Sequence, residues 1–275
     1  MKIGRIPYIN CYPVYGAIDR GIVPLDAELV DGVPTDLNRR MAAGELDISV
    51  VSAVEYARDS DRYLLLPDLA ISCDGPVRSV MLFSRRPAGE LTSRNVIVSR
   101  SSMTSVALVE LLFENVWHAR PRFIAGDAEV RDVVESNDGG ADARLVIGDA
   151  ALVLGSNHRE RYPHVYDLGQ AWKDWTGQPF VFAVWVAQRS TDVKEALVAH
   201  AGLIKSRDWG LHHLAELAEQ AHKATGVMTE TCAEYLSGLD YRLSYSHLAG
   251  LTEFYRRLVE RGRIPNGTLT FLPAA

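Results

Sequence analysis

Residues 99–105, Ser-Arg-Ser-Ser-Met-Thr-Ser, crowd hydroxyls between a short β-branched run and an apolar stretch with helical spacing. A turn that leads from a strand into a helix presents free backbone N–H groups and the positive end of the helix dipole, an arrangement that suits a carboxylate or phosphate. Ser101, Ser102, Thr104 and Ser105 would add hydroxyl donors to it. Helix capping is the competing reading, because Ser and Thr are favoured N-caps. The two are compatible, since one hydroxyl can cap while its neighbours bind. Asn10, Ser52 and Ser79 are small polar residues beside expected strand ends, where open α/β sheets collect ligands. Taken singly, each reads first as a turn or solvent-facing residue. Gly148 and Asp149 form another such turn, in which Asp149 is a ligand, a general base or, most simply, a helix cap.

Other chemistries lack their signatures. There is no H-E-x-x-H, no G-x-S-x-G, no P-loop and no G-x-G-x-x-G after a strand. The 8 histidines show no metal pattern, and the adjacent His212 and His213 would point apart on a helix. Cys11, Cys73 and Cys232 are widely spaced without a C-x-x-C, which argues against a disulfide framework or zinc knuckle. A net charge of −6 argues against a nucleic-acid footprint. It also means that an anion must be held locally, by N–H groups, hydroxyls or a single Arg. The N-terminus has no signal-type apolar region and no run reaches membrane-spanning length, so the expectation is a reduced, cytoplasmic protein with no membrane partner.

The elements that must position these residues alternate. Strands are expected at residues 2–9, 48–51, 77–83, 96–98, 145–147 and 180–187. Helices are expected from Thr35 as N-cap to a Gly44 cap, through Val54 and Tyr56, and along the face carrying Val106, Val109, Leu112, Phe113 and Val116. The chain beyond Thr191 reads as mostly helical. This order predicts an α/β protein with largely parallel sheets. It divides into one discontinuous lobe, residues 1–86 plus 187–275, and a second, residues 87–186, with a cleft between them. Clefts at domain interfaces are where small-ligand sites usually lie. Trp172, Trp175 and Trp185 read as hinge or core packing.

Three stretches, INCYPVYGAI, GPVRSVMLFS and DLGQAWKDWTGQPFVFAVW, resemble the chorismate dehydratase family, with SRSSMTSVALVELLF and VIGDAAL in the expected order between them. The resemblance implies a two-lobed fold like a type II periplasmic binding protein. It implies loss of water from chorismate, giving 3-[(1-carboxyvinyl)oxy]benzoate at the first step of the futalosine route to menaquinone, with no metal or organic cofactor. It also marks Asn10 of N-x-x-P and Ser79 of V-x-S-V as active-site residues, reversing the turn reading of both. Ser52, the Ser101–Ser105 turn, Gly148 and Asp149 are then expected to bind the dianionic substrate. Aromatisation drives such a reaction, so the enolpyruvyl carboxylate of the substrate itself is the expected proton acceptor, with Asp149 as the competing base. Alternatives are a 1,4-dihydroxy-6-naphthoate synthase, expected to begin nearer S-P-C-P-N-D, a solute-binding protein, or a regulator's effector domain. A homodimer through the C-terminal helices is compatible with the sequence.

Overall fold

Residues 2–9, expected as one strand, divide in two in the computed structural model, which describes residues 1–126, 140–157 and 161–273. Strand β1 covers only Lys2–Arg5, and Ile9–Cys11 forms a 3-10 turn that leads into α1, Tyr12–Asp19. Pro7 accounts for the break, since it has no N–H for a ladder and restricts the residue before it. There follow β2 (Glu28–Asp31), α2 (Pro34–Ala42), β3 (Ile48–Ser52), α3 (Ala53–Arg58) and β4 (Tyr63–Cys73). The N-cap of α2 is Val33 rather than Thr35, because Pro34 takes the first helical position, where its missing N–H costs nothing. Gly44, at φ +72°, follows the end of α2 as expected.

The second half continues with β5 (Val80–Ser84), β6 (Asn95–Ser99), α4 (Met103–Asn115), β7 (Arg122–Gly126), β8 (Ala143–Ile147), α5 (Gly148–Asn157), β9 (His164–Asp167) and α6 (Leu168–Thr176). Strand β10 (Phe180–Gln188) precedes four helices: α7 (Val193–His212), α8 (Leu214–Thr225), α9 (Thr229–Gly238) and α10 (Tyr245–Glu260). Among the described residues, no helix is long and apolar enough to cross a membrane.

Two five-stranded sheets result, in the orders β2-β1-β3-β10-β4 and β7-β6-β8-β5-β9. They are built alike. In each, three parallel strands are followed by an antiparallel one, β10 between β3 and β4, or β5 between β8 and β9. The antiparallel strand is in each case the one that begins when the chain crosses from the other sheet. Sheet membership therefore differs from the division expected at residues 86 and 187: β5 joins the second sheet and β10 the first. The charged Arg85-Arg86-Pro87 turn connects β5 to β6, both strands of the second sheet.

All five residues of β3 are buried, as suits a central strand covered on both faces. Trp172 and Trp185 are fully buried core residues. Trp172 meets Phe180 and Phe254 edge-on at centroid distances of 5.2 and 5.9 Å, and Trp185 Nε1–H donates to Tyr15 Oη at 3.0 Å. Helix α10 lies against the second crossing so closely that a Cβ on Gly250 would overlap the Pro179 carbonyl oxygen.

Candidate functional site

Parallel strands point their carboxyl ends in one direction, and in both sheets those ends face a shared cavity. Asn10 follows β1, Ser52 ends β3, Ser102 and Ser105 follow β6, and Gly148 follows β8. Ser79 precedes β5, which is antiparallel to β8, with Val80 opposite Ile147, so its amino end lies beside the carboxyl end of β8. Ser52, Ser79, Ser102, Ser105, Gly148 and Asn10 all line this cavity of about 60 Å³. Its walls are otherwise mostly apolar, with Ile6, Ile71, Val77, Val80, Ile147 and Phe182 beside Tyr8, and among the described residues no charged side chain lines it.

Each polar residue is held by its surroundings. Asn10 Oδ1 is buried and has no hydrogen-bond partner among the described residues. A buried amide oxygen in that condition costs free energy until something donates to it. Ser52 is locked by Asn38, whose Nδ2 donates to Ser52 Oγ at 2.6 Å while its Oδ1 accepts from Ser52 N at 3.1 Å. Ser102 is the N-cap of α4: Ser105 N donates to Ser102 Oγ at 3.2 Å, and the Ser102 hydroxyl donates in turn to Ser105 Oγ at 2.8 Å. Ser102 therefore both caps α4 and lines the cavity.

Gly148 combines a positive φ of +60° with close contact, since a Cβ there would stand 2.9 Å from the Tyr8 ring. Only glycine takes that backbone conformation without strain. Behind Ser79, the phenol of Tyr235 is fully buried, and burial pushes its pKa well above the ordinary range. The Cys11 thiol, also buried, is likewise pushed far up, and it does not line the cavity.

Three expected binding residues do not line the cavity: Ser101, Thr104 and Asp149. Ser101 N–H turns back to Ser99 Oγ at 3.0 Å. Thr104 Oγ1 accepts from Val54 N at 3.1 Å, joining the start of α4 to the start of α3 across the two units. Asp149 Oδ1 accepts from Ile9 N at 3.1 Å, so its carboxylate holds the 3-10 turn that carries Asn10. The partners of Thr104 and Asp149 are distant in sequence, and no local pattern announces them. Asn38, Tyr8 and Phe182 were missed at the sequence level for the same reason.

Ser102 also lines a neighbouring groove of about 330 Å³ that contains Arg58, Arg100 and Arg263. Arg263 pairs with Glu110 at 2.6 Å, and burial raises the Glu110 pKa against that attraction.

The paired sheets, each with an antiparallel strand supplied across the crossing, and the cavity between their strand ends define a two-sheet protein of the periplasmic-binding-protein-like class. An Archaeoglobus fulgidus protein, AF1704, has this fold at a TM-score of 0.80 and 19% identity, covering 96% of this chain and 98% of that one. The alkanesulfonate-binding protein SsuA from Xanthomonas axonopodis pv. citri, bound to MOPS, matches at a TM-score of 0.71 and 10% identity over 98% and 96% of the two chains. A family model described as menaquinone biosynthesis matches residues 1–260, and the chain belongs to that family. The chorismate dehydratase of Thermus thermophilus is 32% identical over 92% of this chain and 95% of its own length. That of Campylobacter jejuni is 28% identical over 66% of each.

Proposed function

We propose that this chain is a chorismate dehydratase, a lyase that converts chorismate to 3-[(1-carboxyvinyl)oxy]benzoate and water in menaquinone biosynthesis. Family membership and the Thermus relative support the reaction. The observation that carries the site is that Asn10 and Ser79, which flank strands of different sheets, line one cavity on whose wall no described residue is charged.

In this reading the enolpyruvyl carboxylate of the substrate takes the C3 proton. The C3–H electron pair becomes a ring double bond, and the C4 hydroxyl leaves with a proton as water. Aromatisation supplies the driving force, and the protein supplies orientation, which by itself can remove much of a barrier. The Asn10 amide orients the carboxylate or the departing hydroxyl, and Ser79 hydrogen-bonds beside it. Ser105, whose own hydroxyl proton is not spent on Ser102, donates to the second carboxylate. Asp149 is engaged with Ile9 N and acts by holding the Asn10 turn, not as the base.

A cavity of about 60 Å³ is smaller than the few hundred Å³ that small-molecule sites usually provide. Admission of a ten-carbon diacid therefore needs the cavity to widen, and the Ile9–Asp149 and Val54–Thr104 bonds are among those that join the two units beside it.

The test is incubation of the purified protein with chorismate, without added metal or cofactor, followed by chromatography and mass measurement. A product lighter by one water with an aromatic spectrum is expected. Unchanged chorismate with folded protein would overturn the reading and favour a naphthoate-synthase or binding role.

A further inference from the structure

Ser79 sits in an unusual piece of backbone. Its N–H donates to the Val77 carbonyl oxygen at 2.7 Å, closing a three-residue turn centred on Arg78. Arg78 is at φ +60°, the left-handed region that costs a residue with a side chain about 1–2 kcal/mol. A turn of this hand is rare and strained, and such geometry persists only where its surroundings impose it.

One carboxylate does most of the imposing. Asp167, the last residue of β9, accepts from Val77 N at 3.0 Å through Oδ1 and from Arg78 N at 2.6 Å through Oδ2. The same Oδ1 accepts from Gln170 N at 3.0 Å, so Asp167 is also the N-cap of α6. The helix N-terminus favours negative charge there. On the far side of the turn, Gly148 N–H donates to the Ser79 carbonyl oxygen at 2.7 Å. The Arg78 side chain is drawn away from the cavity by Glu234 at 2.8 Å. The GPVRS and DLGQAW stretches, far apart in sequence, thus meet through this carboxylate.

We infer that Asp167 is a positioning residue: by binding two successive N–H groups it holds the Arg78 turn in its left-handed form and so fixes the aim of the Ser79 hydroxyl into the cavity. The inference rests on the proposed role of Ser79. Asp167→Asn is the discriminating change. An amide can keep Val77 and Gln170 on its oxygen, but it turns an NH₂ toward Arg78 N–H, and the clamp fails on one side only. Adding Arg78→Gly restores the turn by another route, since glycine takes φ +60° freely.

Two readouts are needed. Turnover of chorismate by D167N is expected to fall about 10- to 100-fold in kcat with KM within about threefold, and D167N/R78G to recover at least part of it. Amide exchange of the peptide spanning residues 77–79, which needs no substrate, is expected to rise in D167N and fall back in the double variant. Unchanged exchange in D167N overturns the clamp. A kcat within about twofold of the parent, or a loss that R78G leaves in place while exchange recovers, overturns the positioning role. If the parent itself leaves chorismate unchanged, the proposed function fails, and the exchange arm still decides whether Asp167 holds the turn.

Discussion

Gly148 N–H reaches the carbonyl oxygen of Ser79 at 2.7 Å, tying the start of a helix to a turn that enters the sheet from the opposite lobe. The bond places two residues from separate stretches of chain on one wall of the cavity, and it needs Gly148 at φ +60° with the Tyr8 ring against its Cα. Gly148→Ala would meet both constraints at once. It is expected to destabilise the fold by about 1–2 kcal/mol from backbone strain alone, read as a lower midpoint in urea with an unchanged slope. Turnover should fall by more than the loss of folded protein explains.

Asn10 and Asp149 should separate cleanly. Asn10→Ala removes the orienting amide and is expected to cost about 100-fold or more in kcat/KM. Asp149→Asn keeps an oxygen for Ile9 N–H and should stay within about tenfold of the parent, because the carboxylate charge is not used in proton transfer. A D149N loss as deep as that of N10A, with the Asn10 turn intact in its structure, would instead make Asp149 the base.

Ionic strength should matter more than the net charge of −6 suggests. The groove that shares Ser102 with the cavity carries Arg58, Arg100 and Arg263 against the single carboxylate of Glu110, so a dianion approaching it would feel a net positive local field. The expected result is a fall in kcat/KM as salt rises, with kcat little changed. Arg58→Gln should lower kcat/KM about two- to fivefold at low salt and converge on the parent at high salt, where screening lengths shrink to a few Å. An equal effect at both extremes would assign Arg58 a contact instead of a field.

His200 sets an acid limit on stability. Burial lowers its pKa below the ordinary 6.5, offset in part by a 2.8 Å hydrogen bond from Nε2 to the Pro67 carbonyl oxygen, and Arg207 lowers it further while Asp68 opposes. The folded state therefore binds fewer protons than the unfolded chain in the window just below 6.5. Its contribution is complete above that value and is lost as pH falls toward the depressed folded pKa. Denaturant midpoints measured down from neutral pH should decline through this window, and His200→Gln should flatten the decline. An unaltered slope in the variant would place the titrating group elsewhere.

Local chemistry made much of this molecule legible in its sequence. The β-branched runs at 48–51 and 96–98 are strands because such residues fit a pleated, covered surface, whatever sheet they join. Ser102 caps α4 through Ser105 N, three residues away, so that bond is written in the local order of residues. Asn10 and Ser79 stand out only through motif resemblance, and spacing alone leaves them as turn residues.

Tertiary structure decided the rest, and the reason is range. Periodicity announces β5 as a strand but carries no term for its partners, so its place in the second sheet emerges only from pairing with β8 and β9. The same holds for the carboxylates. Asp149 and Asp167 look in sequence like residues that open helices, and Asp167 does cap one. Yet Asp149 is bonded to Ile9 N, 140 positions away, and Asp167 to Arg78 N, 89 positions away. Those bonds form because folding brings buried N–H groups, which must find acceptors, to the carboxylates that can serve them. A hydrogen bond's worth depends on burial and distance in space, neither of which a linear order of residues contains.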